Sequence, residues 1–468
     1  MPAYMPRLER QAKQADLIRN LAGPLRRLLP DSWALASGGL ATRVAAFPPL
    51  VMVWCMIRQA LCPDPCCRAT LSWLQSARTN AGLLPLASDT GAYCKARQRL
   101  SDTLLPKLAL RAAAVLSAQA GVRHLWHGRR IMAVDGSAFS MPDTPENQAK
   151  YPQPGSQKPG CGFPVAGFVA VICLATGALL GAMVGTWKTH ELALFYYLRR
   201  HFRTGDIFLA DRGFSTYAEM ALFWKRGVDS VLRLHQRRRA DFHSGRVLGI
   251  DDHITTWTKP IHRPKGLRRE DYESLPDTLP VREIRYRVMV KGYRTSEVIL
   301  TTTLLDAEKH SAEALADLYF QRWQVEVDFR HIKITMQLDV CRGKSPAVVE
   351  KEFWAHVLAY NLIRRLMWEA GDTWDGDALG LSLKGTIQHL LSRWILYWGL
   401  ENDSDYDLLL ALVNAETLPR RPGRVEPRVR KRRPKNYSLM TKPRHELKKM
   451  LQNIITENEN VNTYETRR

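Results

Sequence analysis

Acid is what this chain has too little of: 46 Asp and Glu stand against 68 Lys and Arg, a formal charge of +22 over 468 residues. Such an imbalance calls for a polyanionic partner, and nucleic acid or an anionic membrane would both answer. Long apolar runs are scarce as well. One segment, FPVAGFVAVICLATGALLGAMVGTW (Phe163 to Trp187), runs 25 residues without a charge, long enough to span a bilayer. Pro164, the central Thr176-Gly177 pair and a Val-rich first half fit two buried strands joined by a two-residue turn better. We therefore expect a hairpin, with a membrane span as the alternative. The N-terminal MPAYMPRLERQAKQ holds no uninterrupted apolar stretch, so no secretory signal is visible. Paired cysteines are missing too. The eight present (Cys55, Cys62, Cys66, Cys67, Cys94, Cys161, Cys173, Cys341) are scattered, as in a protein of a reducing cytosol. CPDPCC has no second Cys or His pair at zinc spacing and reads as thiols in a Pro-rich turn. No internal repeat is visible.

What is present suffices for a globular protein: 45% of residues are hydrophobic, and the length implies two to four folded units. Residues 1–127 show helical periodicity in DLIRNLAGPLRRLL and TLLPKLALRAAAVLSAQ, broken at Pro48-Pro49 and Pro63-Asp64-Pro65. Between these runs, SDTGAYCKARQRLS presents Lys95, Arg97 and Arg99 on a short capped helix. A backbone-clamping module and a solvated basic face explain it equally well.

From residue 128 to 234 the texture becomes that of a mixed sheet. RRIMAVDGS and IFLADRGF are apolar strands that end on Asp135 and Asp211, and the long hairpin lies between them. Three leading strands followed by helix, strand, helix and strand make an α/β pattern, whose sites lie at carboxyl ends of strands. Residues 235–305 interrupt it with alternating runs, VREIRYRVMV and SEVILTTTLL, expected as a β insertion with one wet, basic face. Residues 306–370 return to long helices, and 371–468 form a helical and basic C-terminal region. Within it, residues 420–444 carry eleven Lys or Arg and one Glu among Pro and Gly. An extended basic arm is expected there, with solvated disorder as the alternative.

The helix expected at ADLYFQRWQVEVDFRHIKITM, residues 316–336, carries polar groups where hydrophobes would repeat. At about 100° per residue, Arg322, Glu326 and Lys333 lie about 60°, 20° and 40° to one side of Tyr319, on one narrow stripe. Trp323 and Arg330 border that stripe, while Leu318, Val325, Phe329 and Ile332 face elsewhere. The stripe could be a surface salt-bridge ladder of little energetic worth. An aromatic, a fork-shaped donor and a point cation around one acid also suit a phosphate held beside a metal-bound carboxylate. Asp135, Asp211 and Glu326 could together hold two divalent cations about 4 Å apart, in an all-oxygen site of the kind Mg²⁺ prefers.

Tyr319-x2-Arg322-x3-Glu326-x6-Lys333 resembles the signature of DDE transposases of bacterial insertion sequences, the family numbered four, whose members cut and paste through hairpin-ended intermediates. VDGS at Asp135, LADRGF at Asp211 and RVEPRVRKRRPK resemble that family's other blocks; 76 residues separate the two Asp, and 115 separate Asp211 from Glu326. The resemblance covers roughly residues 85–445. It implies an RNase H-like mixed-sheet core interrupted by a β insertion, with an N-terminal helical DNA-binding domain and a basic C-terminal region. Asp135, Asp211 and Glu326 would bind two Mg²⁺ ions, with Mn²⁺ as a substitute. Tyr319, Arg322 and Lys333, with Arg330 beside them, would grip the DNA ends. Trp257, from the insertion, is the candidate for stacking on a flipped base, although a packed core Trp is equally consistent with its context. His190-Glu191 also resembles a family block and reads equally as a helix cap. The implied reaction runs through strand cleavage, hairpin formation, hairpin opening and joining of 3′ ends to target DNA. The expected partners are double-stranded DNA at terminal inverted repeats and target sites, and a second copy in a DNA-bound homodimer. The expected location is the bacterial cytoplasm, on the nucleoid, without a membrane. A purely hydrolytic RNase H-like nuclease and a transposase-derived DNA-binding protein are the competing readings.

Overall fold

The structure, a computed structural model, describes residues 7–36, 46–287, 297–374, 376–398, 403–419 and 439–453. The chain opens with helices α1 (Arg7–Ala22), α2 (Asp31–Ala36), α3 (Pro49–Leu61), α4 (Cys67–Asn80), α5 (Gly91–Arg99) and α6 (Leu104–Ala118). Pro49 starts α3 at a position where a missing N–H costs nothing. Then come β1 (Ile131–Ser140), α7 (Pro145–Lys150), β2 (Val165–Cys173), β3 (Ala178–Thr186), α8 (Glu191–Phe195), β4 (Ile207–Ala210), α9 (Tyr217–Lys225) and β5 (Asp229–Arg233). The β-rich stretch contributes β6 (Arg246–Gly249), β7 (Asp252–Thr258), α10 (Arg269–Glu273), β8 (Thr278–Arg287) and β9 (Glu297–Thr302). Helices α11 (Ala312–Phe320), α12 (Trp323–Arg330), α13 (Pro346–Thr373), α14 (Leu383–Arg393) and α15 (Asp403–Ala415) follow.

The described strands form one sheet in the order β3-β2-β1-β4-β5-β9-β8-β7-β6. β1, β4 and β5 run parallel, and the other pairings are antiparallel. The long uncharged run is the β2–β3 hairpin, turned at residues 174–177. Gly177 takes a φ of 69° there, and a Cβ on it would meet Arg364 Nε at 3.0 Å. Among the described residues no helix is long and apolar enough to cross a membrane.

The sheet is covered on both faces, which is why its strands read as near-continuous apolar runs. Ile131, Ala133 and Phe139 of β1 point into a core shared with α3, α6 and α13, while Met132 and Val134 point into a second core with α8 and α9. The β-rich stretch follows β5 in the chain but does not form a sheet of its own. It extends this one, because β9 pairs antiparallel with β5 and carries β8, β7 and β6 outward. Nor is its face uniformly wet: Arg282 is buried against Asp252 through bonds of 2.8 and 2.6 Å.

The basic helix α5 also departs from expectation. Lys95 and Arg99 are exposed, but Arg97 turns inward and is only 3% exposed. It pairs with Glu352 of α13 and donates to Cys67 Sγ at 3.2 Å, so it serves the junction between helical region and core. The second Glu352 oxygen accepts the backbone N–H groups of Arg342 and Gly343 at 2.8 and 2.9 Å. Removing one partner of such a buried pair strands the other charge. Arg97→Ala is expected to lower unfolding free energy by about 3–5 kcal/mol, read as a fall in the urea midpoint. Replacing Arg97 and Glu352 together by Met should cost markedly less than Arg97→Ala alone.

Candidate active site

Register places the first three groups. The last parallel pairs of β1, β4 and β5 are Val134 with Ala210 and Ala210 with Leu232. The next residue along each strand is Asp135, Asp211 and Arg233, so these three stand side by side at the carboxyl edge of the parallel segment. Neighbouring strands are about 4.8 Å apart, which brings the two carboxylates to adjacent positions. β1 continues to Ser140, so Asp135 lies within a strand and not at its end as expected; what ends there is the pairing with β4. Asp211 follows β4 directly, and its Oδ1 accepts the N–H of Arg212 at 2.6 Å.

The helical layer supplies the third acid. The expected single helix over 316–336 is in fact α11, a turn at Gln321-Arg322, α12, and a π-helical turn at His331–Thr335. A wide turn of this kind often marks a functional site. The stripe computed for a regular helix therefore does not exist as such. Much of the signature still converges on the sheet edge. Arg322 donates to Asp135 Oδ2 at 3.1 Å and to Glu326 Oε1 at 2.9 Å, bridging strand and helix. Lys333, carried inward by the π turn, donates to Ser137 Oγ at 3.1 Å, two residues from Asp135 and on the same face of β1. Phe329 anchors α12 edge-to-face on Phe168 of β2, with centroids 5.3 Å apart.

Tyr319 is buried on α11, with the guanidinium of Arg322 5.9 Å from its ring centroid. Burial pushes its phenol pKa up, and the charge of Asp211 adds to that while Arg322 and Arg233 oppose it. Arg330 is exposed. Trp257 is the residue the structure does not bring here. It sits on β7, five strands from β1, at about 4.8 Å per strand. It is 5% exposed, donates from Nε1 to Glu283 Oε1 at 3.0 Å, and has Arg238 3.8 Å from its ring centroid. A packed, hydrogen-bonded core tryptophan is what the structure shows, not a free stacking face.

Two residues were missed. Arg233 closes the row beside Asp211, and the parallel register could have revealed it. Glu191, at the start of α8, bears on both Asp135 and Asp211 from the other side of the sheet. The signal for it was the resemblance of His190-Glu191 to a family block, which a helix cap explained equally well.

Asp135 feels these neighbours. Burial pushes its pKa up to about 6, against the pull of Arg322 and the Gly136 N–H, with Glu191 and Asp211 pushing further in the same direction. Carboxylate oxygens alone line the edge, the donor set that hard divalent cations take. Among the described residues no three potential ligands are drawn together closely enough to grip an ion in this arrangement. The guanidinium of Arg322 lies between Asp135 and Glu326, supplying positive charge where a cation of that donor set would supply it.

Comparison with known proteins finds relatives along most of the chain. The family described as "Transposase DDE domain" matches residues 126–362, just over half of the chain. The transposase InsG for insertion sequence element IS4 of Escherichia coli K12 is 27% identical over 410 residues, covering 86% of this chain and 89% of that protein. The probable transposase for element IS5377 of Geobacillus stearothermophilus is 29% identical over 162 residues, covering 32% and 40%. Among solved structures, a piggyBac transposase synaptic complex with hairpin DNA aligns at a TM-score of 0.41 and 10% identity, over 89% of this chain and 88% of that one. That likeness is too distant to carry any inference.

The raised pKa of Asp135 has a consequence for stability. A folded carboxyl with a pKa near 6 binds its proton more tightly than the unfolded chain, whose value is near 3.8, so stability falls as pH rises between the two. Asp135→Asn should therefore make the metal-free protein more stable by roughly 1–3 kcal/mol above pH 6. The advantage should vanish below about pH 4, as denaturant midpoints measured across that range would show.

Proposed function

Because the chain belongs to the DDE transposase family and is a DNA transposase of a bacterial insertion sequence, we propose that it cuts at its element's terminal inverted repeats and joins the freed 3′ ends to target DNA. The observation that carries this reading is the placing of Asp135 and Asp211 side by side with Glu326 tied over them through Arg322. In the proposed site these three carboxylates hold two divalent cations, Mg²⁺ by donor type. Bound there, such a pair activates the attacking oxygen and stabilises the leaving one in an in-line displacement at phosphorus.

The chain's own residues do the rest. Arg322 exchanges its carboxylate partners for a phosphate of the strand end, a bidentate acceptor its fork also suits. Lys333, held by the Ser137 hydroxyl in the absence of DNA, gives a second phosphate a point charge. Tyr319 backs Arg322, and Arg330 is exposed for the flanking backbone. The same edge serves cleavage by water, attack of the 3′-hydroxyl on the opposite strand to form a hairpin, hairpin opening and strand transfer, since each is the same displacement.

An RNase H-like core is supported by three antiparallel leading strands followed by parallel strands with intervening helices. The basic balance of the chain fits a DNA partner. Pairing of two ends calls for a homodimer on DNA, acting on the nucleoid in the cytoplasm. Exposed Lys95 and Arg99 of α5 remain available to DNA. Most of the basic arm, residues 420–438, lies outside the described residues.

The test is incubation of the full chain with Mg²⁺ and linear DNA carrying the element's ends, resolved on a denaturing gel. Hairpin-ended element DNA is the expected product. Nicks alone would favour a hydrolytic nuclease, and a shifted but uncut complex a DNA-binding protein. Glu326→Gln should lower cleavage by about a hundredfold or more; full activity in that variant refutes the site. Lys333→Ala should weaken end binding and reduce its salt slope by about one, measured by fluorescence anisotropy over a KCl series.

A further inference from the structure

Glu191 has no role in the site as proposed, yet its carboxylate is at the edge where Asp135 and Asp211 meet. It arrives by an unusual route. Asp135 faces the helical layer that carries Glu326, whereas α8 packs on the opposite face of the sheet through Leu194 and Phe195. His190 fixes the start of α8, its Nδ1 accepting the N–H of Leu192 at 3.3 Å. The Glu191 side chain then reaches over the sheet edge at Gly136. A Cβ on Gly136 would lie 2.0 Å from Glu191 Oε1, and one on Gly213 would lie 3.9 Å from Oε2. The carboxylate thus spans the gap between the residue after Asp135 and the second residue after Asp211, passing through space that only a glycine at 136 leaves open.

No donor holds the carboxylate in this placement among the described residues. Among the described residues none hydrogen-bonds to the Glu191 carboxylate or forms an ion pair with it. The guanidinium of Arg322 neutralises the Asp135–Glu326 side of the edge, and its ion pairs are with those two acids. Carboxylates brought together repel one another unless a cation joins them.

We infer that Glu191 is a fourth carboxylate of the divalent-cation centre, reaching Asp135 and Asp211 from the sheet face opposite Glu326. The inference rests on the metal-dependent reading above. Glu191 and Glu326 then enclose the Asp135–Asp211 pair from two faces, and a side chain at 136 would displace the Glu191 carboxylate from this position.

The test is Mn²⁺ titration into the full-length protein, followed by the electron paramagnetic resonance of free Mn²⁺, for wild type, Glu191→Gln and Asp135→Asn. Glu191→Gln should weaken binding about tenfold or more, or remove one equivalent of bound ion. Its metal-free melting temperature should rise, because a repelling charge has gone, whereas a carboxylate that only steadies α8 would lower it on removal. Glu191→Asp, which keeps the charge but withdraws it by one methylene, should also bind Mn²⁺ less tightly while melting like wild type. If Glu191→Gln and Glu191→Asp bind Mn²⁺ as wild type does while Asp135→Asn does not, the inference is overturned and the three-carboxylate site stands. If Asp135→Asn also binds normally, the metal reading falls with it.

Discussion

One guanidinium joins the two halves of the molecule's edge. Arg322 lies at the break between α11 and α12 and reaches both Asp135 on the sheet and Glu326 on the helix. Without a positive group there, two partly buried carboxylates on separate layers would push those layers apart. With it, the helical layer is registered on β1 at the level where β1 parts from β4. Apolar contacts finish the positioning, since Phe329 seats α12 on Phe168 and the π turn swings Lys333 to Ser137. The bridge is also provisional in character, because every group in it has a better partner once phosphate and divalent cations are present.

Sequence patterning disclosed the parts of this arrangement that follow from local rules. The acids at 135 and 211 stood out because each closes an apolar run, and the uncharged stretch from Phe163 to Trp187 resolved into a hairpin through its central Thr-Gly. Helical arithmetic grouped Arg322, Glu326 and Lys333 by assuming a regularity that the chain does not keep. The break at Gln321-Arg322 and the π turn at His331–Thr335 leave no composition signal, as they arise from docking on the sheet.

What stayed hidden depends on tertiary burial. Arg97 sits in a basic helix and looked as available as Lys95 and Arg99, yet the acid it meets is 255 residues away on α13. Trp257 had the right residue type in the right segment, but Glu283, Arg238 and the core around Leu279 claim its two faces and its N–H. Glu191 was legible as a helix start and, with His190, as a block resembling one of the family's. Its approach to Asp135 and Asp211 goes round a sheet edge, and no linear spacing encodes that path.

The continuity of the sheet bears on how far the molecule can be taken apart. β5 is bounded on one side by β4 and on the other by β9, so its backbone is fully laddered only because the strands that follow residue 235 return to it. The extension is consequently no detachable accessory. A chain trimmed back to the core would present β5 as a bare edge with Arg233 and the neighbouring Asp211 at its rim, open to pairing with a second copy. The row of Asp135, Asp211 and Arg233 would then become an aggregation seam, and so the minimal unit of this enzyme includes the strands beyond β5.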